Sequence, residues 1–233
     1  MRFNLVLHSR SLDKLKAVQQ EILTLHPGIQ VVCIAHDASK AVSNWDKLLE
    51  PINNLRITIL INNLGVTVAP YNSFERQTDE QIEESIRINN IFPTQLTKHI
   101  LPILVVNSPA LILSIGSGAE LAPPPLITVY SATKSYVRTW STGLRNELRL
   151  LGHDVECKLV MTSGVTSGLN RPETFFRPSA EHYARSLLAR AGSNGPVYNG
   201  YWGHTLKVSV AVVWYSFRSH HSVRGHVVDV LVA

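Results

Sequence analysis

Short runs of β-branched and other apolar residues alternate with longer stretches of helical periodicity along most of this chain. Strands that alternate with helices at this spacing are typical of right-handed βαβ units. The alternation therefore predicts an α/β fold built on a doubly wound parallel sheet. The predicted strands are 3–7, 30–34, 57–61, 110–114 and 155–160, and the predicted helices are 12–25, one that ends near residue 50, 79–104, 129–151 and 180–191.

The size and composition of the chain fit one such domain. Of its 233 residues, 45% are hydrophobic and 17% are charged, a balance that builds an apolar core and argues against disorder. The two cysteines, Cys33 and Cys157, lie in apolar runs, where we expect buried thiols. Two cysteines are too few for a disulfide scaffold or a zinc site, and we expect neither.

The net charge of +5 suits an anionic partner, such as a phosphate-bearing small molecule or a membrane surface. The lysines and arginines are scattered rather than interleaved with aromatic residues, so we do not expect nucleic-acid binding. The longest apolar run near the C-terminus, 208–217, is too short for a membrane span. The first ten residues lack the pattern of a signal peptide.

Three residues near the end of strand 110–114 suit the reduction of a carbonyl group. Ligands of doubly wound sheets bind beyond the carboxyl ends of the strands, and Ser117 lies there. Tyr130 and Lys134 share one face of the next helix, because they are four residues apart. We expect the ammonium group to lower the pKa of the phenol, which donates the proton. The serine hydroxyl would hold the substrate oxygen.

Two further segments suggest a nucleotide cofactor. Asn62 and Gly65 belong to the turn NNLG after strand 57–61, and the glycine allows a flat ligand to approach the backbone. The first strand is followed by His8, Ser9 and Arg10, and no acidic residue stands there to bind the ribose hydroxyl of NAD. A guanidinium group suits the 2′-phosphate of NADP, so we predict NADP as the cofactor.

The motifs LINNLGV and YSATK, with a serine thirteen residues before the tyrosine, resemble the short-chain dehydrogenase/reductase family over about residues 3–190. The resemblance implies a Rossmann-like fold and an oxidoreductase. It implies that Ser117, Tyr130 and Lys134 are catalytic. It also implies that Asn89, in RINNIFPTQ, is catalytic by anchoring the water of a proton relay.

The same resemblance extends the set of cofactor-binding residues. It implies that Asp37 contacts the adenine, and that Val165 and Ser167 lie in the loop that contacts the nicotinamide carboxamide. No metal ligand is predicted. The complete set of residues predicted to bind the cofactor is Arg10, Asp37, Asn62, Gly65, Tyr130, Lys134, Val165 and Ser167.

Within the family, the segments LVLHSRSLDKL, IFPTQLT, SGAELAPPPLITVYSATKSYV, FFRPSAEHYARSLL and GYWGHTL resemble one membrane-associated branch. This branch contains very-long-chain 3-oxoacyl-CoA reductases and related 17β-hydroxysteroid dehydrogenases. The resemblance implies NADPH-dependent reduction of a long-chain 3-oxoacyl-CoA to the 3-hydroxyacyl-CoA during fatty-acid elongation at the endoplasmic reticulum membrane. A ketosteroid is the alternative substrate. Homodimers through the long helices are also implied.

The chain departs from the family pattern at its start, where residue 1 falls just before the family's second strand. The family's first strand, its glycine-rich turn TGxxxGxG and its first helix are missing from the 233 residues. Strands 3–7 and 57–61 are therefore expected either to keep unpaired edges or to pair with each other. The chain is interpreted either as an incomplete version of an active reductase or as a shortened, non-catalytic partner of longer relatives.

Two regions are predicted along the chain. Residues 1–191 form the Rossmann-like reductase domain, incomplete at its N-terminus. Residues 192–233 form a C-terminal extension that faces a membrane surface, packs on the domain or lines the substrate channel.

Overall fold

A computed structural model of the chain describes residues 3–68, 72–166, 172–192 and 195–219. The elements alternate between strand and helix over most of this range, as the sequence predicts. The strands are β1 (Leu5–Ser9), β2 (Val31–Ala35), β3 (Ile59–Asn62), β4 (Ala110–Ile115), β5 (Val155–Met161) and β6 (Val197–Asn199). The helices are α1 (Leu12–Leu25), α2 (Trp45–Leu49), α3 (Asp79–Ile86), α4 (Phe92–Val106), α5 (Thr128–Leu150), α6 (Ala180–Ala189) and α7 (Trp202–Ser219).

Every pairing between these strands is parallel, which confirms the predicted α/β fold. The strands form two sheets, one with the order β1-β2 and one with the order β3-β4-β5-β6. Of the two alternatives for strands β1 and β3, the structure has the first, since they do not pair with each other. Each of the two therefore has an edge without a paired strand in the described part of the chain.

Strand β3 is covered on one face only. Ile59 and Ile61 are 40% and 48% exposed, whereas Leu60 packs against the main core. Side chains alternate between the two faces of a strand, so only the Leu60 face of β3 meets α4.

The main apolar core lies between the strands and the helices α4 and α5. Leu104 of α4, Ile112 of β4 and Leu148 of α5 are fully or almost fully buried there, together with Cys157 of β5. Burial of these side chains fixes both helices on the four-stranded sheet. It thereby fixes the start of α5 next to the carboxyl end of β4.

The predicted helix 79–104 is interrupted in the structure. It begins with a capping box in which Thr78 and Gln81 satisfy each other's backbone N–H groups. A π-helical turn at Arg87–Ile91 then separates α3 from α4. Such turns are often found at functional sites, because they redirect side chains that a regular helix would place elsewhere.

Part of the predicted C-terminal extension is built into the same fold. Strand β6 pairs with β5 in register from Leu159 opposite Val197. Helix α7 packs on the domain through Val208, which joins a buried cluster with Val137 and Leu159. The start of the extension is therefore continuous with the sheet that carries the candidate site.

Candidate active site

The structure brings three of the four predicted catalytic residues, Ser117, Tyr130 and Lys134, to one cavity of about 310 Å³. Ser117 follows β4, and Tyr130 and Lys134 lie on the first two turns of α5. This is the carboxyl edge of the sheet, where the sequence placed them. The lining residues of the cavity are Asn63, Gly65, Ile115, Gly116, Ser117, Tyr130, Lys134, Thr162, Ser163 and Val165.

Ser117 and Tyr130 both line this cavity. Burial raises the pKa of the Tyr130 phenol, the side chain of Ser117 opposes that change, and the nearby Glu120 carboxylate raises it further. The prediction that Lys134 lowers this pKa is therefore wrong. The Lys134 Nζ lies 5.8 Å from the centre of the Tyr130 ring and donates a hydrogen bond to the Ile115 carbonyl at 2.8 Å. Its charge is thus directed to the end of β4.

Lys134 is itself almost fully buried. Burial lowers the pKa of its ammonium group from 10.5 to about 8, and the charge of Glu120 opposes that change. The side chain lies against the turn that follows β3, where a Cβ atom on Gly65 would come within 3.0 Å of Nζ. Only glycine allows this approach without displacement of the lysine, which explains the residue type at position 65.

Asn89 connects the turn after β3 to helix α5. Its amide nitrogen donates to the Val66 carbonyl and to the Thr133 hydroxyl, each at 2.9 Å, and its amide oxygen accepts from the Val66 N–H at 2.8 Å. The Thr133 hydroxyl in turn donates to the Tyr130 carbonyl at 2.7 Å. Asn89 therefore links the π-helical turn to helix α5, which carries Tyr130 and Lys134. Its part in a proton relay stays a prediction.

The two asparagines after β3 have different positions. Asn62, which the sequence singled out, is buried against α4, where its amide nitrogen donates to the Thr97 hydroxyl at 3.0 Å. Asn63, its neighbour, lines the large cavity. Because side chains alternate along a strand, only one of the two can face the cavity.

The loop after β5 forms another wall of the cavity and contains the predicted Val165. Ser167 lies outside the described residues. The loop is held by His204 of α7, which is fully buried: its Nδ1 accepts from the Ser163 N–H and its Nε2 donates to the Gly164 carbonyl, each at 3.1 Å. The sequence did not point to His204, since it lies about forty residues from the loop that it contacts.

Arg10 and Asp37 lie at a different place, after the paired strands β1 and β2. The carboxylate of Asp37 accepts a hydrogen bond from the Ser39 N–H at 3.0 Å. This bond lowers the pKa of Asp37, and the charges of Lys40 and Arg10 lower it further. The two residues predicted to contact the adenosine half of a cofactor are therefore neighbours at one strand edge.

Comparisons with known proteins agree with this arrangement. A very-long-chain 3-oxoacyl-CoA reductase of Aspergillus niger is 31% identical over 213 residues, which cover 88% of this chain and 61% of that protein. A protein of the same description from Caenorhabditis briggsae is 32% identical over 212 residues, 89% of this chain and 66% of its own length. The chain thus spans about three fifths of the length of the Aspergillus relative.

Solved structures share the fold. A short-chain dehydrogenase from Sphingobium yanoikuyae in complex with NADPH has a TM-score of 0.72 and 22% identity, over 97% of this chain and 89% of that chain. A 7β-hydroxysteroid dehydrogenase has a TM-score of 0.74 at 13% identity, over 92% of this chain and 87% of that chain. A family model described as short chain dehydrogenase matches residues 1–175. This chain belongs to the short-chain dehydrogenase family.

Proposed function

We propose that the cavity is the active site of an NADP-dependent reductase that acts on long-chain 3-oxoacyl-CoA. The observation that carries the proposal is the meeting of Ser117, Tyr130 and Lys134 at one cavity. A carbonyl oxygen bound between the hydroxyl groups of Ser117 and Tyr130 would accept hydrogen bonds from both.

The residues of the chain perform the acid half of the reaction. The Tyr130 phenol, whose pKa is raised by burial, carries its proton at neutral pH and is the group placed to donate it to the substrate oxygen. Ser117 holds that oxygen in place. Lys134, charged below about pH 8, holds the end of β4 beside Tyr130 through its bond to the Ile115 carbonyl. A bound reduced nicotinamide would supply the hydride to the carbonyl carbon.

The described residues fit both ends of such a cofactor. At the nicotinamide end, Gly65 and Val165 both line the cavity that contains Tyr130 and Lys134. At the adenosine end, Arg10 offers a guanidinium group to a 2′-phosphate beside Asp37. The family's glycine-rich turn is not part of the 233 residues, so we assign no residue to the pyrophosphate.

The substrate class is taken from the relatives. Several proteins at 31–32% identity are described as very-long-chain 3-oxoacyl-CoA reductases. Since the chain spans only about three fifths of the Aspergillus niger protein, its own substrate is a proposal. A ketosteroid is the alternative.

We also propose that the outer face of α7 contacts a membrane surface. Trp202, Leu206 and Val210 follow one another at helical spacing and are 51%, 48% and 61% exposed, with the exposed Lys207 beside them. Such a face suits the boundary between headgroups and acyl chains. No helix in the described part of the chain is long and apolar enough to cross a bilayer. Co-sedimentation with anionic vesicles, compared between the wild type and Trp202→Ser, tests the proposal.

Location at the endoplasmic reticulum and a homodimer through the long helices stay predictions. Fluorescence microscopy of the tagged chain tests the first. Sedimentation velocity of the purified chain tests the second.

The test of the reductase activity uses two tyrosines of the same helix. The consumption of NADPH is followed with a long-chain 3-oxoacyl-CoA and, separately, with a ketosteroid, for the wild type, Tyr130→Phe and Tyr136→Phe. Tyr136 is exposed and bonds to Thr94 away from the cavity, so it is the matched control. We expect Tyr130→Phe to lose at least about a hundredfold in kcat and Tyr136→Phe to keep it.

Cofactor affinity is measured separately by calorimetry with NADPH and NADH. We expect Arg10→Ala to lose about tenfold in affinity for NADPH and little for NADH, because only NADPH carries the 2′-phosphate. A folded chain that binds NADPH and turns over neither substrate would contradict the reductase proposal. It would favour a non-catalytic partner of longer relatives.

A further inference from the structure

A buried carboxylate lies beside the catalytic residues and has no part in the mechanism described above. Glu120 belongs to the short 3-10 turn between β4 and α5, and its side chain is fully buried. Its Oε2 accepts a hydrogen bond from the Ser117 N–H at 3.3 Å, and its Oε1 accepts one from Arg138 Nη1 at 2.9 Å. The carboxylate therefore links the serine to helix α5, one turn beyond Lys134.

Burial of this carboxylate destabilises the fold unless hydrogen bonds and ion pairs satisfy both of its oxygens. A carboxylate that leaves water loses solvation energy that one ion pair does not always restore. Burial raises the pKa of Glu120, while the hydrogen bonds from Arg138 and Ser117 and the charges of Arg138 and Lys134 lower it. Arg138 is only partly buried, so the negative charge of the pair lies deeper, toward Tyr130 and Lys134.

A capping motif explains only part of the arrangement. Ser117 and Glu120 form a capping box around the 3-10 turn, and such boxes are ordinary structural elements. A cap does not require an ion pair with a helix that begins eight residues later. It also does not require that the carboxylate act on both titratable groups of the catalytic pair, as Glu120 does on Tyr130 and Lys134.

We propose that Glu120, paired with Arg138, is a positioning residue that fixes Ser117 against helix α5 and supplies the negative charge that balances the buried ammonium of Lys134. The inference rests on the proposed reductase function. The charged and titratable groups that face the carboxylate are Arg138, Lys134 and Tyr130, all on α5. The negative charge of Glu120 favours the charged form of Lys134. When that charge is removed, desolvation lowers the pKa of the ammonium group further.

The experiment compares Glu120→Gln with the wild type and with Glu181→Gln. Glutamine keeps an oxygen for the Ser117 N–H, removes the charge and places an amide nitrogen where the second oxygen accepts from Arg138. Glu181 pairs with Arg185 at the same distance of 2.9 Å, but on the exposed surface of α6, so it is the matched control. The titration of the Lys134 ammonium is followed by NMR in protein with isotope-labelled lysine, with Lys134→Met to assign its signal. The pH profile of kcat is measured with NADPH and a 3-oxoacyl-CoA.

We expect the Lys134 midpoint to fall by about one pH unit in Glu120→Gln and to stay unchanged in Glu181→Gln. We expect kcat to fall about tenfold with an unchanged KM for NADPH, and its high-pH limb to move to lower pH. Glu120→Asp keeps the charge, so its Lys134 midpoint should stay close to the wild-type value. If Glu120→Gln does not fold, Glu120→Asp and Arg138→Met are compared instead, and only Arg138→Met should raise the Lys134 midpoint.

An unchanged Lys134 midpoint in folded Glu120→Gln overturns the inference, as does an unchanged kcat profile in an active enzyme. Where Glu120→Gln does not fold, an unchanged Lys134 midpoint in Arg138→Met overturns the inference as well. If the wild type lacks turnover while the midpoint falls in Glu120→Gln, the reductase proposal fails and the electrostatic link between Glu120 and Lys134 stands. The two failures are therefore distinguished by the NMR titration, which does not depend on activity.

Discussion

Replacement of Lys134 by methionine should stabilise the fold at neutral pH and abolish the proposed reaction. Lys134 is 4% exposed, and burial lowers the pKa of its ammonium group from 10.5 to about 8. Each pH unit of such a change corresponds to about 1.4 kcal/mol, so the charged form costs the folded state about 3 kcal/mol. Methionine removes this cost. It also leaves the Ile115 carbonyl without its donor, which destabilises the variant by about 1–2 kcal/mol. We expect a net gain of about 1–2 kcal/mol in the free energy of unfolding.

The pH dependence isolates the charge from the packing. Between about pH 8 and pH 10.5 the unfolded chain holds a proton on Lys134 that the folded chain has lost, so the wild type gains stability relative to the variant as the pH rises. Below about pH 8 the full cost is present. Urea unfolding followed by circular dichroism, from neutral pH to about pH 10, measures the difference. The matched control is Lys98→Met on the exposed face of α4.

A difference between the wild type and Lys134→Met that stays constant over this range would refute the reasoning. It would mean that the ammonium group is not desolvated, or that Glu120 compensates the desolvation in full. The reasoning is confirmed if the extra stability of Lys134→Met over the wild type decreases only above about pH 8.

Three further predictions concern the fold. Leu104→Ala should cost about 3 kcal/mol in urea unfolding, because the side chain is fully buried in the main core, and a loss under 1 kcal/mol would contradict that packing. Thr78→Ala should cost about 1 kcal/mol through loss of the capping box, with the exposed Thr24→Ala as control. Burial lowers the pKa of His204 from 6.5, so thermal stability should fall as the pH drops below about 6.5, and a His204→Gln variant with the same acid-side loss would contradict this.

The amino-acid sequence by itself determined the order of elements and which main candidate catalytic residues meet at one site. The predicted helix 12–25 begins directly after Ser11, whose hydroxyl accepts from the Lys14 N–H as an N-cap. Tyr130 and Lys134 could be placed together because their spacing is a property of one helix. Ser117 could be added because the carboxyl ends of parallel strands meet at one edge. These inferences depend on local periodicity and on a single topological rule, both of which are written in the order of the residues.

Tertiary structure alone decided the electrostatics and the supporting contacts of the site. Which of Asn62 and Asn63 faces the cavity depends on the end point of β3, and the raised pKa of Tyr130 depends on burial. Glu120 and His204 act on groups that other elements bring to them. Desolvation and long-range hydrogen bonds depend on distances between segments that are far apart in the chain. Periodicity within a segment holds no information on such distances, so only the folded structure could supply them.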